Sequence, residues 1–205
     1  MDSVNEIFNE AQSCKRCGYS KVYVPLFDEK NAKSNALIMF INERPGRIGT
    51  GKSGKVSFDN DDPTARQFKE CFSLLGVPRE KIFITNSCIC HPNIDGYRDK
   101  APKVSEIKNC QYFLRKEIKI MNPKIIVPLG NKALRALTYY YPESKKLKEF
   151  KLKNNIGQSV EIDDIIVFPL YHTSSLAQRT RNKEQQKKDW LKLKSIIAKF
   201  NLSAQ

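Results

Sequence analysis

The sequence has no apolar run long enough to cross a membrane. Residues 36–41 (Ala-Leu-Ile-Met-Phe-Ile) form a fully apolar run of strand length, whereas a membrane-spanning helix needs about 20 such residues. The N-terminal residues 1–6 also lack the basic and then apolar layout of a secretory signal. We therefore expect an intracellular, cytoplasmic protein with no membrane partner.

Acidic residues are few compared with basic ones. The 205 residues include 22 Asp and Glu against 36 Lys and Arg, a net charge of +14. This excess is more than solubility requires, which makes a polyanion, and nucleic acid first of all, the expected partner. A lysine-rich surface without a partner is the alternative. Basic residues are densest in residues 145–153 and 179–194, while residues 59–62 form an acidic cluster that suggests a site.

Six cysteines in an intracellular chain indicate metal ligands or core residues rather than disulfides. Cys14 and Cys17 form a CxxC pair, and Cys90 and Cys110 are two distant thiols that complete a set of four. Four thiolates suit either Zn²⁺ or an iron-sulfur cluster, and the dispersed second pair favours a 4Fe-4S cluster over zinc. Cys88 competes with Cys90 as the third ligand, since residues two apart in an extended strand point the same way.

Apolar runs alternate with amphipathic helical patterns along the chain. Four runs predict core strands and a fifth predicts an edge strand; they are residues 36–41, 82–86, 124–129, 165–170 and, at the edge, 157–162. This order predicts an α/β fold, a three-layer αβα arrangement with a central four-stranded, mainly parallel sheet. We expect one domain over residues 1–205.

Three predicted strands end in polar residues. Asn42 and Glu43 follow the first strand, Asn86 ends the second, and His172 follows the last. Because ligands bind at the carboxyl ends of parallel strands, we expect these side chains to meet at one edge of the sheet. The glycine-rich loop of residues 46–62 can wrap an anion there, but it lacks the pattern of a Walker phosphate loop. At its end, Asp62 is the predicted N-cap of a helix that begins at Pro63.

Six short motifs then occur in a consistent order over nearly the whole chain. They are the CxxC pair, residues 43–46 (Glu-Arg-Pro-Gly), residues 84–86 (Ile-Thr-Asn) with 90–92 (Cys-His-Pro), residues 106–110, residues 123–130 and residues 167–172. Together they resemble the iron-sulfur uracil-DNA glycosylases, families four and five of that superfamily.

The resemblance implies a DNA glycosylase that flips a nucleotide out of DNA and hydrolyses the N-glycosidic bond of uracil, leaving an abasic site. It implies DNA containing uracil or other deaminated bases as the partner, a monomer, and a 4Fe-4S cluster in which Cys90 is the third ligand. A hypoxanthine- or xanthine-directed enzyme of the same fold is one alternative. A catalytically inactive nucleic-acid-binding module is the other.

The resemblance also implies roles for individual residues around the base. The amide of Asn86 pairs with the hydrogen-bonding edge of uracil, Phe58 stacks on its ring, and Asn42 lies against the same base. His172 donates a hydrogen bond to the uracil carbonyl where negative charge collects, which a neutral imidazole can do.

Carboxylates after the glycine loop are the candidates for activating water. By resemblance to family five, Asp61 is preferred and Asp59 is second, and both could instead cap the following helix. Glu43 could orient a water or bind the base through its backbone.

The segment after His172 is expected to face DNA. Its candidate contacts are Ser174, Arg179, Arg181 and Lys183. Leu176 or Gln178 could fill the gap that the flipped base leaves.

Three positions depart from the family pattern. Asn42 and Arg44 replace small residues of the usual Gly-Glu-Ala-Pro-Gly motif, and Thr173 replaces the proline of the usual His-Pro-Ser. These changes flank the expected pocket, so additional bases such as hypoxanthine or xanthine are plausible substrates.

Overall fold

The fold is described from a computed structural model that covers residues 3–47, 49–56, 60–92 and 99–200. Parallel strands form the centre of the molecule. The strands in these ranges are β1 (Val22–Tyr23), β2 (Ile38–Asn42), β3 (Ile82–Asn86), β4 (His91–Pro92), β5 (Ile125–Pro128), β6 (Val160–Ile162) and β7 (Ile165–Val167).

Five of these strands form one sheet in the order β3-β2-β5-β7-β6. β2 pairs in parallel with β3 and β5, and β5 pairs in parallel with β7. The predicted three-layer α/β architecture is confirmed. The sheet has five strands rather than the four of the predicted core, because the predicted edge segment, β6, hydrogen-bonds antiparallel to β7.

Helices connect the strands and cover the sheet. Those in the described ranges are α1 (Val4–Gln12), α2 (Thr50–Ser53), α3 (Pro63–Ser73), α4 (Val104–Met121), α5 (Asn131–Tyr140), α6 (Lys145–Glu149), α7 (Leu152–Asn155), α8 (Ser175–Gln178) and α9 (Lys183–Ile197). Local sequence sets their ends: Asp62 caps α3 ahead of Pro63, and Asn122 ends α4 in the left-handed conformation.

Two groups of helices lie on opposite faces of the sheet. On one face the buried rings of Phe40 (β2), Phe68 (α3) and Trp190 (α9) pack together, with Phe40 and Trp190 stacked at 5.3 Å. On the other face Phe27 lies between Phe8 (α1) and Phe83 (β3). With both faces covered, the central strands are apolar throughout, as buried parallel strands are.

A two-stranded ladder joins the N-terminal segment to the loop after β3. β1 pairs antiparallel with β4, with Tyr23 opposite His91. The segment that follows the CxxC pair is therefore fixed beside the residues that follow Asn86. Among the described helices, none is both long and apolar enough to span a membrane.

Candidate active site at the carboxyl edge of the sheet

The parallel pairing of the strands places their predicted polar ends side by side. Asn42 of β2 lies directly opposite Asn86 of β3. Leu129, after β5, bridges to Leu170, and the Gly130 N–H donates to the Leu170 carbonyl at 2.8 Å. The loop that carries His172 thus leaves the sheet next to Gly130.

A cavity of about 310 Å³ lies at this edge. Its volume is at the lower end of the range usual for small-ligand sites. The polar and charged side chains in its wall are those of Asn42, Arg44, Thr50, Asn60, Asp62, Thr64, Asn86, Asp99, His172 and Thr173. Asn42, Asn86 and His172, which were predicted from three separate strand ends, therefore share one cavity.

Asn86 presents an unpaired amide to the cavity. The residue is only 6% exposed, and within the described residues its side-chain amide makes no hydrogen bond. A buried amide normally has partners, because an unpaired one costs free energy. Its donor and acceptor are available to a ligand.

His172 is held in one orientation by the backbone. The Ser174 N–H donates to His172 Nδ1 at 3.1 Å, so the imidazole proton lies on Nε2. Burial lowers the pKa of His172 to about 4, and the negative charge of Asp62 opposes that shift. At neutral pH the ring is uncharged and has an N–H to donate.

Two carboxylates border the cavity. That of Asp99 accepts a hydrogen bond from the Arg47 N–H at 3.1 Å, and the other is that of Asp62. Its Oδ1 accepts hydrogen bonds from the Thr64 and Ala65 N–H groups at 2.9 and 3.0 Å. Its Oδ2 faces Gly49, where any Cβ would collide with it. Sequence reasoning recognised Asp62 only as a helix cap and missed that the same carboxylate borders the site.

Asp61 points elsewhere. Its side chain is 96% exposed and pairs with Arg66 at 2.7 Å, and it is not part of the cavity wall. Asp59 and the predicted stacking ring of Phe58 lie outside the described residues.

Glu43 lies next to the cavity, beside Gly130. A Cβ on Gly130 would be 3.4 Å from both Glu43 Oε1 and the His172 Cβ, so the absence of a side chain there lets these two groups approach. Burial raises the pKa of Glu43, and the charges of Lys132 and Arg44 oppose the shift.

Two departures from the family pattern have clear structural roles. Arg44 is buried and forms an ion pair with Glu106 at 2.7 Å, and Glu106 also accepts from the Tyr19 hydroxyl at 2.6 Å. Thr173 is buried and donates to the Thr64 carbonyl at 3.0 Å. Arg44 therefore links the cavity wall to helix α4, and Thr173 links it to helix α3.

The segment after His172 has two kinds of basic residue. Arg181 is held by a two-pronged ion pair with buried Asp189, with contacts of 2.7 and 2.8 Å, whereas Arg179 and Lys183 are exposed. Ser174 caps α8, and Leu176 on that short helix is 72% exposed.

Gln186 was not predicted and supports this segment. Its buried amide donates to the His172 carbonyl at 3.3 Å and to the Arg181 carbonyl at 2.9 Å. Its helical spacing from Asp189 on the inner face of α9 was the available signal.

The predicted cysteine ligands come from three elements. Cys14 and Cys17 follow α1 and are half-buried, whereas Cys90, in the loop after β3, and Cys110, on α4, are buried. Burial, together with the neighbouring thiols of Cys110, Cys17 and Cys14, raises the pKa of Cys90 to about 12. All four thiols therefore lie close enough to influence one another.

Cys88 also lies beside Cys110. A thiol hydrogen bond between them raises the pKa of Cys88 and lowers that of Cys110. The geometry leaves both Cys88 and Cys90 within reach of Cys110.

The donor set fits a thiolate-bound group. The Asn109 amide donates to Cys17 Sγ at 3.6 Å, and the positive charge of Arg44 opposes the rise in the pKa of Cys90 and adds to the lowering of the pKa of Cys110 by the Cys88 thiol. Across the described ranges, no three Cys, His, Asp or Glu side chains meet as ligands of a single metal ion.

Comparisons of the sequence with known proteins identify a family and several relatives. The family described as "Uracil DNA glycosylase superfamily" matches residues 29–194. A type-4 uracil-DNA glycosylase of Sulfurisphaera tokodaii is 28% identical over 204 residues, covering 96% of this chain and 86% of the relative. One of Thermotoga maritima is 30% identical over 173 residues, covering 79% and 78%. A type-5 uracil-DNA glycosylase of Pyrobaculum aerophilum is 25% identical, covering 87% and 84%.

Proposed function

Because this chain belongs to the uracil DNA glycosylase superfamily, we propose that it hydrolyses the N-glycosidic bond of uracil in DNA and leaves an abasic site. One observation carries the proposal. The unpaired amide of Asn86 and the oriented N–H of His172 line the same cavity at the carboxyl edge of the sheet. Together they offer the groups that a flipped-out uracil needs.

Recognition of the base is assigned to Asn86. A uracil edge presents a carbonyl and an imide N–H, and one amide side chain can donate to the first and accept from the second. Asn42 lies directly opposite on β2 and borders the same cavity. Stacking on Phe58 stays a prediction from the sequence.

Stabilisation of the leaving base is assigned to His172. Cleavage leaves negative charge on the uracil oxygen, and a fixed donor aimed at that oxygen stabilises the transition state. A neutral ring with its proton on Nε2 can supply this donor without carrying a proton that must first be lost.

The sugar becomes positively charged as the bond breaks, so a nearby carboxylate stabilises it and can orient the attacking water. We assign this task to Asp62, whose Oδ2 makes no hydrogen bond within the described residues and which borders the cavity beside His172. Catalytic roles for Asp61, Asp59 and Glu43 stay predictions from the sequence.

DNA contact is assigned to the segment after His172. Exposed Arg179 and Lys183 suit phosphate binding, with Ser174 beside them, and exposed Leu176 suits insertion into the gap left by the flipped base. Arg181 acts mainly through Asp189, by holding this segment against α9.

Cys14, Cys17, Cys90 and Cys110 would hold a 4Fe-4S cluster, with zinc as the second candidate. When bound, the group cross-links three parts of the chain and supplies structural support. The thiols connect the segment after α1, the loop after β3 that begins at Asn86, and α4. The same proposal includes a single domain and a cytoplasmic monomer.

The test is incubation of the purified protein with oligonucleotides that carry uracil, hypoxanthine, xanthine or a thymine mismatch, followed by alkaline cleavage. We expect strand scission at uracil. Scission at hypoxanthine or xanthine alone would indicate the alternative specificity.

The His172→Ala variant separates an enzyme from an inactive binding module. We expect its single-turnover excision rate to fall about 10²–10³-fold, the usual loss for one transition-state donor, with DNA binding retained. No scission of any substrate by the wild-type protein would contradict the proposal.

A further inference from the structure

A second cavity, separate from the candidate active site, lies between α5 and the segment that contains α6 and α7. It has a volume of about 450 Å³. Four cationic side chains line it: Arg135 on α5, Lys148 on α6, and Lys151 and Lys153 around the start of α7. We call this the basic groove. Three of its cations belong to the lysine-rich segment 145–153, for which the proposed function gives no role.

The cations of the basic groove lack carboxylate partners among the described residues. In the described part of the chain none of the four forms an ion pair with a carboxylate. By contrast, Arg181 is paired with Asp189 and Lys116 with Glu10. Four like charges around one cavity repel one another, and an anion bound among them relieves that repulsion.

One end of the basic groove lies close to the active site in the chain. Asn131, the first residue of α5, lines the groove, and the preceding Gly130 lies against Glu43 and His172. From Asn131 to Thr138 the groove wall follows α5 for seven residues, about 10 Å at 1.5 Å per residue. That length matches about three nucleotides of a DNA strand at 3.4 Å per step.

The lining also suits a nucleic-acid strand. Phe150 is half-buried in the wall, between Lys148 and Lys151. Aromatic rings interleaved with cations are the usual surface on which a strand lies, since the cations bind phosphates and the ring contacts a base.

We propose that the basic groove binds the phosphate backbone of the DNA strand next to the flipped nucleotide, on the side of the active site away from the segment after His172. This deepens the proposed function and rests on it. The DNA would then be held on both sides of the cavity, by Arg179 and Lys183 on one side and by the groove on the other.

The test compares two triple variants that remove the same charge. K148Q/K151Q/K153Q changes the basic groove. K81Q/K119Q/K124Q changes three exposed lysines at the amino edge of the sheet, just before β3, near the end of α4 and just before β5. The dissociation constant of an undamaged oligonucleotide is measured by fluorescence anisotropy at several salt concentrations, single- and double-stranded.

For the groove variant we expect binding weaker by at least about tenfold, and a slope of log affinity against log salt that is less steep by about 2–3, since each phosphate contact contributes about 0.7–0.9. The amino-edge variant should change the slope by less than about 0.5. If the groove triple melts below the wild-type temperature, the single variant Arg135→Gln replaces it, with an expected slope change of about 0.7–0.9.

Equal slopes for the two triples, or a wild-type slope in the groove variant, would overturn the proposal. So would loss of inorganic triphosphate binding with an unchanged DNA slope, because the groove would then be a small-anion site. Failure of the proposed function would give a different result. The wild-type protein would then excise no base, while the slope of log affinity against log salt would still be less steep in the groove variant than in the amino-edge variant.

Discussion

Two asparagines beside strand β3 differ in how completely their amides are paired. Asn31 is 2% exposed and Asn86 is 6% exposed. Asn31 Nδ2 donates to the Ile84 carbonyl at 3.2 Å, while its Oδ1 accepts from the Ile84 N–H at 3.1 Å and from Arg79 at 2.7 Å. Asn86 makes no side-chain hydrogen bond within the described ranges. Asn31 therefore satisfies the backbone groups at the exposed edge of β3, whereas the Asn86 amide is available to a ligand as far as the described residues are concerned.

The same contrast between paired and unpaired polar groups distinguishes the surroundings of Glu106 from the carboxyl edge of the sheet. Around Glu106, the partners Arg44, Tyr19 and the Lys103 N–H form a closed buried network. At the carboxyl edge, the Asn86 amide, Asp62 Oδ2 and the basic groove have no such partners in the described residues. Because the Asn86 amide and Asp62 Oδ2 border one cavity and are open to a ligand, they indicate a binding site at this edge.

The largest expected effects come from truncating each asparagine. Asn86→Ala should lower single-turnover excision about 10²–10³-fold while changing the free energy of unfolding by less than about 1 kcal/mol, because its amide has no partner to lose. Asn31→Ala should lower the free energy of unfolding by about 2–4 kcal/mol, because it leaves the Ile84 N–H and carbonyl without the amide that pairs with them and removes one acceptor of Arg79. Excision assays and urea denaturation measure the two quantities.

These two variants are controls for each other. If Asn86→Ala destabilised the fold as much as Asn31→Ala, the amide of Asn86 would have a structural partner and the comparison would be wrong. Retained excision in Asn86→Ala would remove its assigned role in reading the base.

The next effect compares adjacent carboxylates. Asp62→Asn should lower excision about 10–100-fold, because it removes the charge beside the cavity, yet asparagine caps helices as well as aspartate, so α3 is kept. Asp61→Asn should stay within about twofold, because that side chain is exposed and its surface ion pair with Arg66 is worth little. Single-turnover excision rates and melting temperatures of the two variants test this comparison. A larger loss of excision in Asp61→Asn than in Asp62→Asn would support the catalytic role that the sequence predicts for Asp61.

The sequence was sufficient to predict the parallel sheet and the juxtaposition of its strand ends, because both follow from local patterns. Runs of apolar residues predict buried parallel strands, and parallel register then brings Asn42 and Asn86 together. The sequence favoured Asp61, with Asp59 second, and indicated Asp62 only as a helix cap, because which of these carboxylates borders the cavity depends on how the loop turns into α3. The sequence around a residue also does not reveal its pairing with distant segments. Nothing local to Arg181 or Arg135 shows that the first has a buried partner, Asp189, while the second forms no ion pair within the described part of the chain.

A smaller effect, on the pH dependence of stability, is expected from the buried pair of Thr85 and Glu117, next to Asn86. The Thr85 hydroxyl donates to both oxygens of buried Glu117, at 2.9 and 3.0 Å, and burial raises the pKa of Glu117 to about 8. Between its ordinary value of 4.5 and about 8, the folded chain holds a proton that the unfolded chain has released. The free energy of unfolding therefore falls as pH rises through this window and levels off above it.

Glu117→Gln removes this titration. We expect the variant to lose less stability than the wild type between pH 6 and pH 9, by roughly 1–3 kcal/mol, as measured by urea denaturation at each pH. Glu161→Gln, on the exposed face of β6, is the matched control. Parallel pH profiles for the wild type and Glu117→Gln would show that the carboxyl group is ionised in the fold despite its burial.

The smallest effect is expected from the pH dependence of excision. Since burial lowers the pKa of His172 to about 4, the ring is already neutral well below pH 7. Single-turnover excision should therefore change less than about twofold between pH 8 and pH 5.5 on account of this residue, and fall only as pH approaches 4, when protonation of Nδ1 breaks its hydrogen bond from the Ser174 N–H. A decline with a midpoint near 6.5 that disappears in His172→Gln would mean that the ring titrates as if exposed. The unpaired groups at this edge would then face bulk water rather than a site that excludes it.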